Sequence, residues 1–217
     1  MKPIDLFTGY RTLAASLFEQ VTYAWEVLPQ IGTCIQELIP TLSDDYTEIG
    51  EDVWVGKNTT ISPFTTIQGP TIIGHDCDIR PGAYIRGNAL IGNGVVVGNS
   101  TEIKNAILFD GVQVPHFNYV GDAVLGYKAH LGAGVILSNL KAVSSSIDVK
   151  TPDGVIPTGL RKFSAILGDY AEVGCNAVLN PGTIIGMKSV VYPLTSVRGV
   201  VPPVTIVKQD GTFVTKR

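Results

Sequence analysis

Charged side chains are scarce: Asp, Glu, Lys and Arg make up only 16% of the 217 residues, and the formal net charge is −3. That balance gives no overall electrostatic reason to expect nucleic acid or an anionic membrane as a partner, so any charged ligand must be met by a local cluster. Cysteine is scarce as well. Cys34, Cys77 and Cys175 form no Cys-x-x-Cys pair and cannot all be paired, which fits a reducing cytoplasm and not a disulfide scaffold. The three histidines, His75, His116 and His130, lack two closely spaced ligands, so no metal site is expected. No apolar run approaches the ~20 residues of a membrane span, and the start of the chain, with Lys2, has no signal-peptide form. The expectation is a cytoplasmic protein without a membrane partner.

What the chain does have is an aliphatic residue at every sixth position: Ile49, Val55, Ile61, Ile67, Ile73, Ile79, Ile85, Ile91, Val97 and Ile103. Neither a helix nor an ordinary strand has that period, whereas a parallel β-helix does. The beat returns at Leu125, Leu131 and Leu137, and again from Leu167 to Val197. Four residues after each aliphatic stands a small or β-branched side chain, such as Thr59, Thr65, Cys77, Ala83 and Ala89, as a narrow prism requires. Six residues then make a short strand and a turn, and three such units close a coil of eighteen that stacks at ~4.8 Å. The fold class is all-β, a hexapeptide-repeat solenoid.

Residues 1–45 lack the beat. Leu13, Leu17, Phe18 and Val21, and then Ile31, Ile35, Leu38 and Ile39, have helical spacing, which predicts a short α-helical cap on the first coil. The solenoid domain is expected over 46–202, irregular at 109–124 where Phe109 and Pro115 replace aliphatics, with a tail at 203–217. An inserted loop at 140–163 is expected to project from one corner, with Asp153-Gly154 as a hairpin turn.

The glycine that usually follows each aliphatic is replaced by Arg80, Arg86, Lys104 and Arg198. Arg86 and Lys104 are eighteen residues apart, hence on one corner one rung apart, with Glu102 close by. Two stacked cations repel unless an anion joins them, and a phosphate accepting hydrogen bonds from both would explain the pair; solvated corner residues with Glu102 as partial counter-charge are the alternative. His116 lies in VPHFNYVGD, off any apolar helix face and two faces round from Lys104, and is a candidate general base.

The segments RPGAYIRG, GNSTEIKNA, HFNYVGD, HLGAGVILSN and RKFSAILGD, in that order over roughly residues 70–200, resemble the C-terminal acetyltransferase domain of the bifunctional UDP-N-acetylglucosamine pyrophosphorylase/glucosamine-1-phosphate N-acetyltransferase. The resemblance implies a left-handed coil, a homotrimer with sites between subunits, and acetyl-CoA as cosubstrate. It places the phosphate-binding lysine on Lys104, the catalytic histidine on His116 and a sugar-contacting tyrosine on Tyr119. The phosphate-binding arginine matches Arg80 by wording and Arg86 by the distance to Lys104; the coil spacing favours Arg86. A substrate asparagine of the family becomes His130, and a substrate lysine matches Lys162. At the donor site Asn139 matches an asparagine, Leu140 stands for a tyrosine and Cys175 for a serine.

The implied function is acetyl transfer to the amine of a sugar phosphate, glucosamine 1-phosphate by default. Uridylyltransferase activity is not expected, because residues 1–45 are too short for a nucleotide-binding domain and hold no glycine-rich phosphate loop. The departures at His130 and Leu140 keep open a binding module for a sugar phosphate or sugar nucleotide that has lost acetyl transfer.

Overall fold

The computed structural model describes residues 1–143 and 145–216. The aliphatic beat turns inward in it, forming the long core of a three-sided parallel β-helix. Ile67, Ile85, Ile103, Val120, Leu137, Leu179 and Val197 stack down face 1, joined rung to rung by parallel pairing. Face 2 carries Val55, Ile73, Ile91, Leu108, Leu125, Leu167, Ile185 and Val201. Face 3 runs from Ile61 through Ile79, Val97, Val114, Leu131, Val173 and Val191 to Val207. The companion column of small residues, among them Cys77, Ala83, Ala89 and Ala106, fills the space left between the three stacks.

The stretch expected to be irregular at 109–124 is a regular rung. The beat passes through Leu108, Val114 and Val120, and only the spacing changes, because the corner between faces 1 and 2 is one residue shorter in two successive rungs. Strands Glu102–Leu108 and Tyr119–Leu125 therefore run through that corner from one face to the next. Asn105 and Asp122 make the turn with φ of 46° and 51°, a left-handed conformation that asparagine and aspartate tolerate better than most residues. Phe109 does not replace a core aliphatic; it points outward and is fully buried beside Phe7 and Phe18.

Helices Ala15–Glu19 and Ile31–Leu38 form where their apolar spacing places them, but not as a cap on the first coil. Face 2 has a second, outward aliphatic column, Ile72, Leu90, Ile107, Val124, Ile166 and Ile184, and the first 42 residues lie along it in one shared core with Phe7, Trp25, Leu28, Ile31 and Ile35. The physical reason is area: a whole apolar face needs cover, whereas the first rung needs only a strand. That strand is Tyr46–Gly50, antiparallel to Val53–Gly56. It holds Ile49, which is consequently exposed and outside the repeat.

The insertion leaves the chain at the corner between faces 1 and 2 and folds back onto the molecule. Its hairpin pairs Asp148–Thr151 with Gly154–Pro157, so Pro152 and Asp153 make the turn, and Ile147, Val149 and Phe163 are buried in the face 2 core. The solenoid continues past 202 to Thr205–Val207, against which Phe213–Thr215 returns antiparallel.

Candidate functional site

The corner between faces 1 and 2 gathers Arg86, Lys104 and Asn139, with Glu102 and Tyr119 beside it on face 1. Arg86 and Lys104 stand there one rung apart, since Ile85 pairs with Ile103 and the Arg86 N–H donates to the Ile103 carbonyl. Each cation already has a carboxylate. Arg86 Nη1 is 2.8 Å from Glu102 Oε1, and Lys104 Nζ is 3.6 Å from Asp122 Oδ2. The hydrogen bond that Arg86 donates to Glu102 raises the guanidinium above its ordinary value.

Beside these cations, face 1 presents an outward column of Tyr84, Glu102, Tyr119 and Ile136. Tyr84 lies under the Arg86 guanidinium, 5.8 Å from it to the ring centroid. Tyr119 leans along its strand across Gly121, where a Cβ would come within 2.5 Å of the phenol oxygen; glycine there is what lets the ring lie flat to the corner. The Asn139 amide donates to Tyr119 Oη at 3.1 Å. Burial raises the Tyr119 phenol above its ordinary value, and the charges of Asp122 and Glu102 raise it further.

His116 ends the face 3 strand Gln113–His116, on the corner between faces 3 and 1 at the other side of face 1. Its backbone is fixed by Asn118, buried inside the prism, whose Oδ1 accepts the His116 N–H at 3.1 Å and whose amide donates to the Gly132 carbonyl at 2.8 Å. Its ring is exposed. Cys175 lies two rungs below on that corner, exposed, linked through Ala133 to the rung of His116.

Other expected site residues are dispersed. Arg80 is on the His116 corner, paired with Asp78 at 2.8 Å, so Arg86 and not Arg80 is the arginine stacked on Lys104. His130 is on face 3, its Nδ1 2.8 Å from Glu172 Oε2, and away from face 1. Lys162 and Leu140 are exposed at the ends of the insertion. The Asn139 side chain turns toward Tyr119 and Asp122, so one chain does not bring Asn139, Leu140 and Cys175 together. Asp122, Asn105 and Tyr84 were absent from the sequence-based set. The five-residue steps after Ile103 and Val120 are the signal that marks the first two.

The family profile described as the GMPPB C-terminal domain matches residues 67–192. The chain belongs to that family. The matched segment of this family member includes Arg86, Lys104, His116 and the insertion, and leaves out the layer on face 2. The chain is 33% identical over 97 residues to a bifunctional sugar-1-phosphate nucleotidylyltransferase/acetyltransferase of Sulfurisphaera tokodaii, covering 45% of this chain and 24% of that protein. It is 35% identical over 146 residues to the uncharacterized acetyltransferase YaiX of Escherichia coli O6:K15:H31, covering 67% of this chain and 64% of that one. The chain thus spans about a quarter of the first relative and just under two thirds of the second. Among solved structures it is similar to a mutant of AntD, an N-acyltransferase from Bacillus cereus in complex with dTDP and coenzyme A, at 21% identity and a TM-score of 0.44, covering 84% of this chain and 89% of that chain. Among the described residues no helix is long and apolar enough to cross a membrane.

Proposed function

We propose that this protein transfers an acyl group from acetyl-CoA to the amine of an amino-sugar phosphate, with glucosamine 1-phosphate the first acceptor to test. The observation that carries the reading is the layout of face 1: stacked Arg86 and Lys104 on the corner at one side, Tyr84 and Tyr119 as an aromatic floor, His116 on the corner at the other side. His116 and Gly121, the residue that pairs with Lys104, are five residues apart, ~16 Å of strand at most. An acceptor whose phosphate sits at the cationic corner extends its amine toward His116. The similarity to a bifunctional sugar-1-phosphate nucleotidylyltransferase/acetyltransferase supports the acceptor class.

In the transfer, the acceptor nitrogen attacks the thioester carbonyl as His116 takes its proton. The C–N bond forms, the C–S bond breaks, and the proton passes to the departing thiolate. A positioned base of this kind contributes ~10²- to 10⁴-fold in rate. Asn139, Leu140 and Cys175 meet the donor only if copies of the chain pack side by side, so that one copy's cationic corner faces another's His116 corner; a homotrimer built this way is part of the proposal. Exposed Tyr84, Phe117, Ile136 and Leu194 on and around the uncovered faces support it.

The test is thiol release from acetyl-CoA with glucosamine 1-phosphate, with light scattering on the same sample. The His116→Ala variant should lose ~10² or more in turnover with an unchanged melting temperature. Unchanged turnover removes His116 as the base, and a fully active monomer sinks the shared site. A second reading, a binding module without transfer, is favoured by one observation. Among the described residues no hydrogen bond or ion pair orients the His116 ring. Sugar-phosphate binding without acetyl-CoA binding would decide for it.

A further inference from the structure

Both cations of the face 1 corner are neutralised within the chain, yet by carboxylates of opposite character. Glu102, the partner of Arg86, is 32% exposed and makes that one contact, and an exposed pair of this kind is held weakly enough to exchange with a ligand. Asp122, the partner of Lys104, is only 7% exposed. Its Oδ1 accepts from the Asn105 amide at 3.0 Å, its Oδ2 from the Asn139 amide at 2.6 Å, and Lys104 closes on the same oxygen. Stripping a buried carboxylate of such partners costs far more than parting a surface pair.

Asp122 also joins three parts of the molecule. Its carbonyl accepts from the Ser164 N–H at 3.0 Å and hydroxyl at 3.1 Å, so the residues flanking the insertion on either side, Asn139 and Ser164, are both tied to this one residue. Asn105, which donates to it, also lies 3.3 Å from the Leu28 carbonyl of the layer on face 2. Through Asn139 the carboxylate fixes the Tyr119 hydroxyl on the face 1 floor.

We infer that Asp122 is a positioning residue that divides the work of the two cations. Arg86 exchanges Glu102 for the phosphoryl group of the acceptor. Lys104 stays bound to Asp122 inside the corner, and Asp122, through Asn139, holds the Tyr119 hydroxyl toward the sugar ring. The inference rests on reading face 1 as the acceptor site.

Asp122→Asn keeps the left-handed turn and the side-chain size and removes the charge. It should raise the acceptor KM ~10-fold or more while kcat changes by less than ~3-fold, raise the acetyl-CoA KM by clearly less than the acceptor KM, and couple non-additively with Asn139→Ala. Glu102→Gln should act in the opposite sense and lower the acceptor KM. In spectra of protein labelled with ¹³C-tyrosine, Asp122→Asn should move the Tyr119 titration down. An unchanged acceptor KM, an equal rise in both KM values, or strict additivity with Asn139→Ala overturns the inference. Should Asp122→Asn fail to fold, Tyr119→Phe against Asn139→Ala carries the same test, since removing either partner of one contact must leave the other nothing to lose. If the wild-type chain transfers no acetyl group but binds glucosamine 1-phosphate calorimetrically, only the transfer reading fails, and a loss of ~10-fold in that affinity on Asp122→Asn sustains the positioning role. Equal affinities, or no binding by the wild type, overturn it.

Discussion

Faces 1 and 2 are built on the same backbone, rung over rung, and differ almost only in what points outward. Face 2 shows Ile72, Leu90, Ile107, Val124, Ile166 and Ile184, and the chain spends its first 42 residues covering them. Face 1 shows Tyr84, Glu102 and Tyr119, which stay partly or fully accessible. The inner column makes the solenoid, and the outer column decides whether a face becomes a second core or a surface for ligands. The contrast also explains why charge collects where it does. The corner next to face 2 is walled by the N-terminal layer and the returning insertion, so Asp122 and Lys104 sit in reduced water and must satisfy each other.

The sharpest way to break this contrast is to uncover face 2. Deleting residues 1–41 should leave a chain that precipitates or binds a hydrophobic dye strongly, because a contiguous aliphatic column is left in water; a soluble, cooperatively melting product would mean face 2 needs no cover. Smaller, but still large, is the loss expected from Phe109→Ala. Its ring is fully buried against Phe7 and Phe18, so ~3–5 kcal/mol of stability should go in denaturant unfolding. A loss under ~1 kcal/mol would show that the layer is loosely packed on the solenoid. The smallest effect belongs to face 1. Tyr84→Ala should leave the melting temperature nearly unchanged and raise the acceptor KM by several-fold, the ~0.5–1.5 kcal/mol of an aromatic contact; a drop in stability with no change in KM would make face 1 a packing surface.

Much of this was legible in the residues. The beat from Val55 to Ile103 fixes rungs, and the eighteen-residue spacing stacks Arg86 on Lys104, because a regular coil turns counting into geometry. Counting fails where the coil changes length. The single-residue shortening after Ile103 and Val120 hid Leu108, Val114 and Asp122 from a strict six-residue rule and made a regular rung look broken. The layer on face 2 was misplaced at the end of the solenoid, although a doubled aliphatic at every third unit, as in Thr71-Ile72-Ile73 and Ala89-Leu90-Ile91, announces a face apolar on both sides. The insertion read as a projecting loop because its buried anchors, Ile147, Val149 and Phe163, are separated by polar residues and have no period.

The two reversed strands have a consequence for growth. A stack of identical parallel rungs could in principle be extended by the next molecule, end upon end, into a fibre. Here Tyr46–Gly50 and Phe213–Thr215 run against the grain at opposite ends, so on face 2 at one end and face 3 at the other an incoming chain meets a short strand of the wrong direction instead of another rung. End-to-end growth is thereby blocked on one of the three faces at each end, face 2 at the first rung and face 3 at the last.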